Sequence, residues 1–91
     1  MIIKSCIIHL NLPYVSGKKG RRAIINSIKE RLKKLNISIL DISSEYVKEA
    51  DIAICYLSPN QKESAKYLEK IELILDRDAY EYEWEIDCEE I

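Results

Sequence analysis

An α+β sandwich, a four-stranded antiparallel sheet with two helices on one face, is predicted by three observations. Four segments are strand-like by β-branched composition or a period of two, and two others carry apolar residues at helical spacing. They follow one another as strand-helix-strand, strand-helix-strand. The 91 residues leave room for one small domain, residues 1–91, with no solenoid-length repeat and no interdomain linker.

Residues 1–12 read as the first strand, with Ile2, Cys6, Ile8, Leu10 and Leu12 on one face and Ser5, Ile7, His9 and Asn11 on the other. Pro13 ends it, and YVSGKKG is rich in turn formers. Ile24, Ile25, Ile28, Leu32 and Leu35 then form one apolar stripe, which predicts a helix over 18–35 that stops at Asn36. ISILDI (37–42) is a strand by its β-branched content, and its inward face is open at this point. SSEYVKEA is a polar connection to a third strand at 51–57, whose inward face is equally open.

Ser58-Pro59-Asn60-Gln61 has the form of a helix start, with Ser58 as cap, Pro59 at the first helical position and Gln61 completing a capping box. Ala65, Leu68, Ile71 and Leu75 supply the second helix's buried stripe, and Leu73 falls outside it. The last segment alternates most cleanly: Tyr80, Tyr82, Trp84, Ile86 and Cys88 interleave with Glu81, Glu83, Glu85, Asp87 and Glu89. That is a half-buried strand with one apolar and one acidic face. The economical arrangement of these elements is a ferredoxin-like βαββαβ sandwich, and right-handed crossovers favour the strand order four-one-three-two.

Composition narrows the setting. The chain is 47% hydrophobic and 33% charged with two Gly and two Pro, which excludes a disordered, collagen-like or low-complexity chain. A core this small is thin, and oligomerisation is a natural supplement to it. No run approaches the length of a membrane span, and the start lacks a signal-peptide layout. Cys6, Cys55 and Cys88 are an odd count at wide spacing, which suits a reducing cytosol better than a disulfide framework. A cytoplasmic location without membrane contact is therefore expected. In the predicted strand order the three cysteines lie on neighbouring strands. With no C-x-x-C and no second histidine, however, they read as small buried apolar residues and not as metal ligands.

The net charge of −2 hides a strong segregation. Residues 18–34 hold eight cations against Glu30 alone, and residues 76–91 hold eight carboxylates against Arg77 alone. On a helical wheel Arg22, Lys29 and Lys33 share one flank clear of the apolar stripe, with Lys18 nearby. Together with Lys19 and Arg21 they form a basic flank and a cationic loop at a helix N-terminus, a pattern suited to phosphate groups. SGKKGRR is not the nucleoside-triphosphate loop, which needs four residues between its first Gly and Gly-Lys-Ser/Thr. No cofactor is implied. Ile7 and His9 on the helix-free sheet face, and Glu81, Glu83, Glu85 and Asp87 on the acidic strand, are candidate interface residues. His9 has no nearby Asp or Ser pattern that would make it a catalytic base.

Four stretches resemble the YlxP-like family of small bacterial proteins. HLNLPYVSGKKGRR is similar to that family's strand-Pro followed by S-L-K-x-K-R, through Ser16, Lys18, Arg21 and Arg22, with Gly17 and Gly20 departing from it. NISILDI is close to N-V-S-V-x-E-V through Asn36, Ser38 and Asp41. ADIAICYLS follows A-x-L-G-V-A-V-V-S with Ala53 in place of Gly, and EIDCEEI gives the acidic ending. The resemblance implies a ferredoxin-like fold, self-association and a bacterial cytoplasmic setting. By gene association it also implies a role linked to RNA or the ribosome.

The expected function is a noncatalytic protein that binds RNA or a ribosomal particle through Lys18, Lys19, Arg21, Arg22, Lys29 and Lys33. The alternative is a homo-oligomeric protein–protein interaction module. The nearest enzyme of this fold and length is acylphosphatase. It needs an Arg-bearing loop after the first strand and an Asn on the third, and DIAICYLS contains no Asn.

Overall fold

The computed structural model describes residues 1–91. Its elements are β1 (Ile2–Asn11), α1 (Lys18–Lys33), β2 (Ser38–Asp41), β3 (Glu49–Ser58), α2 (Gln61–Asp78) and β4 (Glu83–Glu90). The strands lie in the order β2-β3-β1-β4 and every neighbouring pair is antiparallel. This is the ferredoxin-like βαββαβ sandwich in the order that right-handed crossovers predict.

Alternation along β1 divides the molecule into two layers. Cys6, Ile8 and Leu10 are buried beneath the helices, followed by Leu12 just beyond the strand, while Ile7 and His9 look out from the open face. Register then settles the inward faces of the two strands whose sequence left them open. Ile54 stands opposite Cys6 and Ile52 opposite Ile8, so Ala50, Ile52, Ile54 and Tyr56 of β3 face the helices. Ile39 stands opposite Ile54 and shares that side, which leaves Leu40 exposed on the other.

α1 buries Ile25, Ile28 and Leu32 with Ile24 and Leu35 half-buried beside them, as the periodicity predicts. Its last regular residue is Lys33, two short of the expected end. Lys34 and Leu35 form a closing turn, and Asn36 beyond it takes the left-handed conformation (φ 59°), which asparagine tolerates better than most residues. Two features of α2 differ from expectation. Its cap is Asn60, whose Oδ1 accepts from the Glu63 N–H at 2.9 Å, so the cap lies two residues past Ser58. Pairing decides this: β3 extends through Ser58, opposite Ile2, which makes Ser58 a strand residue. The buried stripe is likewise rotated, with Ser64, Ile71 and Leu75 inside, Tyr67, Leu68 and Ile74 at its borders, and Ala65 exposed. β4 begins at Glu83, because Tyr80 and Glu81 lie in the turn that Tyr82 closes by donating its N–H to the Ala79 carbonyl.

The cysteines also depart from expectation. Cys6 and Cys88 form a disulfide, and Cys55 is free on the opposite face of the sheet. The ladder explains the pairing. Ile91 donates its N–H to the Ile3 carbonyl, so the two-residue period places Ser5–Glu89 and Ile7–Asp87 in the hydrogen-bonded phase. Cys6–Cys88 falls in the alternate, closely spaced phase, with Cα atoms 4.0 Å apart. Spacing along the chain, 82 residues, conceals a direct cross-strand contact.

Asn60→Ala removes one capping bond and is expected to destabilise the fold by about 1 kcal/mol in denaturant unfolding, with an unchanged m-value. Reduction of the disulfide opens a loop that spans nearly the whole chain. It is expected to lower the unfolding free energy by about 2–4 kcal/mol, measured with and without a dithiol reductant.

Candidate nucleic-acid interface

α1 begins after Gly17, whose φ of 138° is a conformation that only glycine adopts without strain. Its first turn holds no acidic residue and no side-chain cap, so Lys18, Lys19, Arg21 and Arg22 crowd the positive end of the helix dipole. Two of these cations are engaged within the protein. Lys18 Nζ donates to Glu45 at 2.8 Å, and that hydrogen bond holds the Glu45 carboxyl below its ordinary range. Arg21 Nη1 donates to the carbonyls of Ser44, Tyr46 and Glu49 at 2.7–3.1 Å.

Lys48 returns the connection by donating to the carbonyls of Pro13 and Val15, both at 2.9 Å. The β1–α1 and β2–β3 loops are therefore laced together by two cations and five carbonyl groups. SGKKGRR consequently serves as a structural joint, with its Arg21 guanidinium held against the carbonyls of the β2–β3 connection. The cleft beside it, about 580 Å³, is lined by Tyr14, Tyr46 and Tyr82 together with Glu49, Glu81 and Glu83. Its carboxylates outnumber its one cation, Lys48, which disfavours phosphate there.

The remaining cations are differently placed. Lys19, Arg22 and Lys33 are exposed, Lys29 is half-buried, and none of the four forms an ion pair. Their flank looks toward the β2 edge. Asp41 of β2 is pushed up by burial, but hydrogen bonding from Ser43 and the charges of Arg21 and Lys29 outweigh this and hold it below its ordinary value. On the other side of α1, Arg31 reaches Asp78 of α2 at 3.8 Å. The acidic residues of β4 lie on the far edge of the sheet, three strand spacings or roughly 14 Å from β2. Basic and acidic surfaces are thus separated by the width of the sheet.

The open face holds most of the remaining candidates. Successive rows run Leu40–Ala53–Ile7–Asp87 and Asp51–His9–Glu85, with Ile42 joining the second through its N–H to the Asp51 carbonyl. Ile7, Leu40, Ile42 and Leu57 give this face exposed apolar area, bordered by Glu83, Glu85 and Asp87. Glu81 belongs to the cleft and not to this row.

His9 does have an acidic partner. Its Nδ1 lies 2.6 Å from Asp51 Oδ1, across β1 and β3 and 42 residues away in sequence. The hydrogen bond to Asp51 raises the His9 pKa; burial opposes this, and the charges of Asp51, Glu49 and Glu85 add to the rise. Sequence proximity could not reveal Asp51, but pairing the first and third strands in register does. No three His, Cys, Asp or Glu side chains gather in a metal-holding arrangement, and no helix is long and apolar enough to cross a membrane.

This chain matches the DUF503 family, a protein of unknown function, over residues 3–87. It is a member of the DUF503 family. No curated protein matches it. Among solved structures, the de novo designed protein Foldit4 is similar at a TM-score of 0.66 and 13% identity, covering 96% of each chain. The designed ferredoxin-fold protein LFR1 1 gives 0.58 at 9% identity, over 99% of this chain and 85% of the other. SP2199 from Streptococcus pneumoniae gives 0.50 at 15% identity, over 94% and 84%. These likenesses concern the fold alone, so the DUF503 surface has to be read from its own residues.

The His9–Asp51 pair gives a pH-dependent contribution of known sign. A folded pKa raised above the ordinary value of about 6.5 means the stabilisation is complete below about pH 6.5 and is lost as pH rises through the folded pKa. In NMR titration, Asp51→Asn is expected to lower the His9 pKa. The stability difference between wild type and this variant should be largest below about pH 6.5 and shrink as pH rises above it.

Proposed function

We propose that this DUF503 protein is a noncatalytic RNA-binding protein, acting on RNA or a ribosomal particle, whose contact surface is the outer flank of α1. The observation that carries this reading is that Arg22, Lys29 and Lys33, with Lys19 beside them, share a helix flank free of ion pairs. The acidic strand lies on the opposite edge. Four cations on a rigid helix neutralise backbone phosphates without reading bases, so the affinity is electrostatic and shape-tolerant. The engagement of Lys18 and Arg21 within the protein narrows the proposed surface from six cations to these four. The resemblance to the YlxP-like family and its cytoplasmic, translation-linked setting supports the same reading.

Binding to total bacterial RNA or ribosomal subunits is expected to weaken with a log–log salt slope of about −3, four contacts at about −0.7 each for single strands. Lys29→Glu with Lys33→Glu is expected to weaken binding at least about tenfold and flatten that slope. Unchanged affinity and slope would show the flank to be ordinary solvated surface.

A second reading, a homo-oligomeric interaction module, is favoured by the exposed Ile7, Leu40, Ile42 and Leu57 on the open sheet face. Sedimentation across a concentration series tests it. A mass that rises with concentration in wild type but not in Ile7→Glu is expected.

A further inference from the structure

We propose that Cys6–Cys88 is a reversible thiol–disulfide exchange site for a low-molecular-weight thiol, and that its redox state sets how firmly β4 is held to the domain. β4 is an edge strand whose only strand neighbour is β1, and none of its residues is buried. Trp84, Ile86 and Cys88 are half-buried against the core, whereas β3 alone buries Ala50, Ile52, Ile54, Tyr56 and Ser58. The last strand thus depends on one hydrogen-bonded ladder, a shallow apolar row, two exposed side-chain hydrogen bonds (Gln61 to Glu90 and Asn11 to Glu83) and one covalent bond.

The two sulfurs are unequal. Cys6 is 1% exposed on an inner strand, while Cys88 is half-buried on the edge. An incoming thiolate therefore attacks the Cys88 sulfur, forms a mixed disulfide there and expels Cys6 as thiolate, which takes a proton from solvent. A second thiolate attacks the outer sulfur of the mixed disulfide and releases Cys88. In total the protein disulfide gains two electrons and becomes two thiols, and two small thiols become one small disulfide. Cys55 takes no part, because it projects from the opposite face, opposite Ser5 and Ser38. The sheet itself separates it from the pair, so the disulfide has no internal thiol with which to reshuffle.

The test equilibrates the full chain in buffers of graded reduced-to-oxidised glutathione ratio. Thiols are counted by mass spectrometry after acid quenching, and amide exchange is followed by strand. The expected result is one two-electron transition, a transient glutathione adduct on Cys88, and the same behaviour in Cys55→Ser. On reduction, exchange in residues 83–90 should rise at least about tenfold more than in residues 49–58. The site would be overturned by free thiols at Cys6 and Cys88 under fully oxidising glutathione, or by adducts confined to Cys55. The role in holding β4 would be overturned if reduction changed exchange in the two strands equally or not at all.

Discussion

The period of two along β1 is the constraint on which the remaining structure depends. A strand with neighbours on both sides commits them to its phase, since a slip of one residue would carry Ile8 and Leu10 into solvent and bring His9 under the helices. Once Cys6, Ile8 and Leu10 face inward, Ile54 and Ile52 must do so across from Cys6 and Ile8 on one side, and Cys88 and Ile86 on the other. The helices then cover one layer only. The same phase puts His9 beside Asp51, leaves Cys55 on the far face, and lines the open side of β4 with carboxylates.

How much of this was legible depended on whether the deciding contact was local. Helical stripes and strand alternation are written in residues a few positions apart, so the element order, the strand order and the inward face of β1 could be read directly. The stripe of α2 was harder, because Ala65 and Ser64 are both small and only the packing of Ile71 and Leu75 shows which turns inward. Local sequence cannot place the cap, because Ser58 and Asn60 are both good caps, and β3's extra pairing with β1 decides between them. Cys6–Cys88 and His9–Asp51 lie 82 and 42 residues apart, and both follow from register, which no window along the chain contains.

The basic surface shows the same division. Counting charges locates α1 as the cationic element, but it cannot distinguish a cation that faces solvent from one that closes a joint. Arg21 and Arg22 are neighbours of identical chemistry. The first binds three carbonyls of the β2–β3 connection and the second is exposed without an ion pair. The helical period separates them, and the loop that Arg21 meets is a consequence of the sheet order. What α1 offers a polyanion is therefore a flank set by the fold, and the separation of that flank from β4 prevents the molecule's near-neutral total from cancelling its local field.

The charged row on β4 bears on a hazard common to open sheets. A long edge strand presents unpaired backbone donors and acceptors, and its readiest recruit is the matching strand of another copy. An antiparallel approach of two β4 strands would set Glu83, Glu85, Asp87 and Glu89 against the same residues reversed, carboxylate facing carboxylate along the ladder. At the other edge β2 has only four residues, too short a rail for extended pairing. The domain thus guards one border by repulsion and the other by brevity, and protonating the acidic row would remove the first guard while leaving the second in place.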